Sequence, residues 1–84
     1  MSNKGRIEAV AGAIEQYLSQ NPRAADTAEG IRSWWLPPEL RAEPLETVVD
    51  ALDVLRTRGM VDTTTRRGAE VIYSVHAARQ PWTH

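Results

Sequence analysis

Thr47-Val48-Val49-Asp50-Ala51-Leu52-Asp53-Val54-Leu55-Arg56-Thr57-Arg58-Gly59-Met60-Val61 is followed by Arg66-Arg67-Gly68 and then by Val71-Ile72-Tyr73-Ser74-Val75. Leu45, Val48, Val49, Leu52 and Leu55 recur at helical spacing, which predicts an amphipathic helix. Gly59 suits its C′ position, where a left-handed backbone is needed, and Arg56 and Arg58 favour the negative helix end. Met60 to Thr65 and Glu70 to Val75 are β-rich and roughly alternating, so a hairpin with a basic tip at Arg66-Arg67-Gly68-Ala69 follows the helix.

Upstream, Ile7, Val10, Ala11, Ile14, Tyr17 and Leu18 predict a first helix from about Lys4 to Ser19. Gln20-Asn21-Pro22 closes it, because proline cannot continue a helix and biases Asn21 away from helical angles. Arg23-Ala24-Ala25 reads as an extended connector or a short third strand. Asp26 with Glu29 fits a capping box, and Thr27 is the competing N-cap. The second helix runs through Trp34-Trp35 and stops at Leu36-Pro37-Pro38. Glu39 to Glu43 is a connector with room for one helical turn, and Pro44 suits the first turn of the third helix.

With 84 residues the chain supports one domain with one small core. A hydrophobic share of 42% with 25% charged residues fits a globular protein rather than a disordered one. There is no cysteine, so disulfides and thiolate metal sites are excluded. That composition agrees with a cytoplasmic location. Met1 to Arg6 leads into no apolar run, so no signal peptide is read, and no stretch approaches the roughly 20 apolar residues of a membrane span. The reading is a single domain over residues 1–76 with a flexible tail over 77–84. Its core holds Ile7, Val10, Ile14, Leu18, Ile31, Val48, Leu52, Leu55 and Val61.

The order helix, connector, helix, turn, helix, hairpin resembles the winged helix-turn-helix family of bacterial transcription regulators. The resemblance rests on Thr47-Val48, Leu52, Leu55 and Gly59-Met60-Val61 and covers about residues 7 to 75. It implies an α+β fold of three helices with a two- or three-stranded wing sheet. It also implies DNA binding through the exposed face of the third helix and the wing.

Two features depart from that pattern. Leu36 to Glu43 is longer than the usual turn between the second and third helices. The exposed positions of the third helix read Glu43, Glu46, Thr47, Asp50 and Asp53. Between Glu43 and Leu55 stand four acids and no base. Each close pair with a phosphate costs roughly 1 kcal/mol even at the dielectric of water. The net charge of −1 likewise lacks the basic excess that phosphate neutralisation requires.

Two functional readings follow. In the first, the chain is a protein-interaction module that meets a protein partner with a basic surface through Glu46, Asp50 and Asp53. In the second, it binds DNA through Arg66 and Arg67 at the wing and Lys4 and Arg6 at the start of the first helix. Charge favours the first reading, and a homodimer is compatible with both.

Trp34 and Trp35 point about 100° apart on a helix, so they cannot face one core direction. The preferred reading buries both, with the long loop folded over the second. The alternative exposes one of them, and Trp35 with Leu40 then joins the interaction face.

Catalysis is not expected. Ser19, Ser33 and Ser74 have no base partner in sequence context, there is no Gly-x-Ser-x-Gly elbow, and the glycines form no phosphate loop. His76 and His84 alone make a poor metal site, so neither a metal nor another cofactor is expected.

Overall fold

The computed structural model describes residues 4–68 and 70–75, with the backbone but not the side chain of Arg66. The segments Met1–Asn3 and His76–His84, and Ala69 at the hairpin tip, lie outside the described residues. So do the readings placed on them: the loose tail and the two histidines.

Helix α1 spans Lys4–Gln20, strand β1 Ala25–Asp26, helix α2 Ala28–Gly30, helix α3 Leu45–Thr57, strand β2 Val61–Arg66 and strand β3 Glu70–Val75. α2 continues as a π-helical turn over Ile31–Trp35, and a 3₁₀ turn covers Pro38–Leu40. The strands form one antiparallel sheet in the order β1-β3-β2. This is an α+β fold of three helices and a three-stranded sheet, compatible with a winged-helix layout. The short third strand is present at Ala25–Asp26, one to two residues later than its expected place.

The core is the meeting of three apolar faces. Val10, Ala11, Ile14 and Leu18 of α1 pack with Val48, Ala51, Leu52 and Leu55 of α3, and with Ile31, Trp35 and Leu36. Val61 and Tyr73 close it from the sheet, where β2–β3 register sets Val61 opposite Val75 and Thr63 opposite Tyr73. Period-two alternation puts Val71, Tyr73 and Val75 on that inner face. Ile7, expected in the core, packs at its edge and is only partly buried.

The helix ends follow local chemistry. α1 stops where both the backbone N–H and the side-chain amide of Asn21 donate to Tyr17 O, at 2.9 and 3.0 Å. Pro44 is the N-cap of α3 rather than part of its first turn: its backbone is extended, and its carbonyl accepts from Thr47 and Val48. Gly59 takes φ +75°. There Gly59 N–H donates to Arg56 O at 3.0 Å and Met60 N–H to Leu55 O at 2.9 Å, the paired bonds of a Schellman motif.

Of the two N-cap alternatives, Thr27 caps α2. Its backbone is extended and its Oγ1 accepts from Gly30 N–H at 3.2 Å. Asp26 instead accepts from Thr27 N–H at 2.7 Å. Its carboxylate rests against Gly30 Cα, where any Cβ would collide with it.

That contact gives a prediction. Gly30 has helical angles, φ −63° and ψ −40°. Gly→Ala at a helical position ordinarily gains about 0.5–1 kcal/mol. Gly30→Ala is expected to forfeit that gain in the native chain and to show it in an Asp26→Ala background. Urea unfolding of the four proteins in the cycle measures the coupling. Equal effects in both backgrounds would show that the carboxylate moves aside freely.

Candidate interaction surface

On α3 the apolar stripe turns inward and leaves Glu46, Asp50, Asp53 and Arg56 exposed. Spacings of four and three residues place the three acids on one face. Arg56 lies 3.9 Å from Asp53, with both side chains about half exposed, so the pair offsets charge locally and contributes little stability. Two positions expected on this face are elsewhere. Thr47 is buried, because it stands four residues before Ala51 and eight before Leu55 on the edge of the same stripe. Glu43 is mostly covered, with a side chain only 18% exposed, and lies 4.0 Å from Arg6.

Arg6 is turned toward Glu43 at the start of α3. Arg58, just after α3, donates to the Glu8 carboxylate at 3.2 Å. Arg6 and Glu8 point to opposite sides of α1, so α1 lies across α3 near its own first turns. Lys4 is exposed at the first position of α1. Arg67 is exposed at the hairpin tip beside Gly68, whose φ is +75°. Arg66 pairs with Glu70 in the β2–β3 register, and its side chain lies outside the description.

Tyr73 links the sheet to α3. Burial pushes its hydroxyl above the ordinary value of 10.0, the Asp53 charge acts in the same direction, and Arg56 opposes it. This tyrosine stays neutral beside the acidic face.

The tryptophans divide differently from the sequence reading. Trp35 is 7% exposed, and its ring stacks on Tyr17 with centroids 4.8 Å apart and planes 10° apart. Trp34 is 74% exposed. Trp35 is thus removed from the expected interaction face, and Leu40 is half-buried against the core. Position relative to Ile31 and the π-helical winding of Ile31–Trp35 supply the reason. Wider winding turns each residue through a smaller angle. Four residues after buried Ile31, Trp35 lies on its side in either winding, and the smaller step of the π turn carries Trp34 further outward. Composition marks this pair as unusual, but which member is exposed depends on where Ile31 faces.

Among the described residues no group of three His, Cys, Asp or Glu side chains could hold a metal ion, and no helix is long and apolar enough to cross a membrane. Comparison with protein-family models, with the curated proteins and with the solved structures finds no match.

Proposed function

We propose that this chain is a non-enzymatic protein-interaction module on a winged-helix frame, whose third helix meets a basic partner surface. The observation that carries the reading is the stripe Glu46, Asp50 and Asp53, exposed along α3 with only Arg56 beside it. In a DNA-binding member this face enters the major groove between two phosphate strands. Here it would bring like charges together. Against a basic protein the same stripe raises association rate and specificity.

The charge argument predicts the outcome of a DNA titration. Duplex fragments of random and genomic sequence are expected to show no saturable binding below about 10 μM near physiological salt. Sub-micromolar binding that weakens steeply with salt would sink the reading, since that slope counts phosphate contacts. A parallel capture from the source cells compares the native chain with the triple variant Glu46→Lys/Asp50→Lys/Asp53→Lys. Proteins retained by the first and lost from the second support the reading; an identical retained set contradicts it.

A second reading is favoured by one observation, the exposure of Arg67 at the hairpin tip. If DNA is bound, the wing carries it. Arg66→Ala/Arg67→Ala then flattens the salt slope by about two and weakens all sequences alike. Asp50→Asn/Asp53→Asn strengthens binding by removing repulsion. The reverse pattern would mean that the acids read bases directly.

A further inference from the structure

The ends of α1 and α3 and the base of the hairpin enclose an apolar groove of about 330 Å³, lined by Leu18, Leu55, Met60 and Val75 together with Glu15 and Ser19. Leu18 and Leu55 are buried, whereas Met60 and Val75 are only half-buried, so the groove leaves apolar surface in water. The Ser19 hydroxyl already donates to Gln16 O at 2.7 Å. Glu15 is exposed, enters no ion pair among the described residues, and is the one charged residue of the lining.

Val75 is both a wall of this groove and the last residue of β3, so the chain leaves the sheet at the groove itself. The nine residues that follow read His76-Ala77-Ala78-Arg79-Gln80-Pro81-Trp82-Thr83-His84. They hold no acidic side chain, one arginine and one large apolar side chain, Trp82. Seven residues on from Val75, Trp82 has a reach of up to about 25 Å, against a groove on the order of 7 Å across. One reversal of the chain therefore returns the indole to the groove. An indole buries roughly 150–250 Å² and needs an acceptor for its N–H, and Glu15 offers one. The same carboxylate attracts Arg79 of this segment. A tether this short gives an effective concentration on the millimolar scale, so a contact too weak for a free peptide is populated within the chain. We propose that the C-terminal segment folds back on its own domain and that Trp82 fills this groove, its indole N–H donating to Glu15.

The contact uses none of Glu46, Asp50 and Asp53, so it and the functional reading fail separately. Incorporation of 5-fluorotryptophan into the full chain gives three fluorine resonances, assigned through single Trp→Phe variants. The shift of each resonance between H₂O and D₂O reads exposure, and Trp35, buried, and Trp34, exposed, set the two ends of the scale. Trp82 is expected at the Trp35 end, unchanged in position from about 20 to 500 μM chain. Met60→Glu places a second acid in the groove and is expected to move Trp82 to the Trp34 end while Trp35 stays in place. Glu15→Gln, which keeps an acceptor, is expected to retain the protection that Glu15→Ala reduces. In the native chain, with no substitution, the Met60 methyl is expected to show a nuclear Overhauser effect to the Trp82 ring. A Trp82 as exposed as Trp34, or the absence of that Met60 contact, overturns the proposal. So does protection that appears only as sedimentation mass rises with concentration, which would assign the groove to the same segment of a second copy.

Discussion

Replacing Trp35 with alanine is expected to cost about 3–5 kcal/mol of stability, whereas replacing its neighbour Trp34 changes stability by less than about 0.5 kcal/mol. The two residues are adjacent and chemically identical, so propensity and composition cancel in the comparison. What differs is direction. Trp35 lies in the core and stacks on Tyr17. Its removal leaves a large cavity and also abolishes an aromatic pair, which contributes roughly 0.5–1.5 kcal/mol beyond its area. Trp34 is 74% exposed and leaves no void behind. Urea unfolding of the two variants, with midpoints compared at unchanged denaturant slope, measures both effects. Equal losses would mean that the two rings do not face opposite ways, one into the core and one to solvent.

That pair also marks the boundary of what the sequence makes legible. α1 and α3 are readable because their apolar residues recur with a helical period that only one buried face explains. Val10, Ile14, Leu18, Val48, Leu52 and Leu55 are all buried as expected. The hairpin and the left-handed Gly59 are readable for a similar reason, since alternation and a lone glycine after a basic turn have few other uses. The second helix is not. Nothing in Ile31 to Trp35 distinguishes α from π winding, and the structure winds this segment as a π turn. Thr47 is missed because a hydroxyl suggests solvent, although its spacing to Ala51 and Leu55 places it on the stripe. The acidic face of α3 is legible as a charge pattern. The Tyr17–Trp35 stack is not, because the two rings come together only after α1 has packed against the end of the second helix.

The choice between Asp26 and Thr27 as N-cap shows the same limit at single-residue scale. Both have an oxygen at the right distance in sequence. The extended backbone of Thr27 lets its Oγ1 reach Gly30 N–H. Asp26 is held in β1 by pairing with Tyr73, so its carboxylate meets the helix start from the side. A tertiary constraint, not local propensity, decides between two residues of similar capping strength.

Leu52→Ala is expected to cost about 2–5 kcal/mol, and here the argument rests on position alone. Leu52 is fully buried in the apolar face of α3, and the core cluster joins it to α1 and to the sheet through Val61 and Tyr73. The lost methyl groups forfeit their transfer energy, and the surrounding side chains cannot all collapse into the void, because they belong to different elements. A domain of this length has a total stability of roughly 4–13 kcal/mol, so the variant stands near the point of unfolding. Glu46→Ala, on the opposite face of the same helix, is expected to stay within about 0.5 kcal/mol. Chemical denaturation of both variants decides whether α3 turns the face described here toward the core. A loss below about half a kilocalorie for Leu52→Ala would mean that it does not. The acids would then not form the outward stripe, and the case against DNA in the major groove would fall with it. A large loss for Leu52 and none for Glu46 fixes the rotation of α3 about its own axis. The orientation of Asp50 and Asp53 follows from that rotation, since spacing along a helix leaves no other freedom.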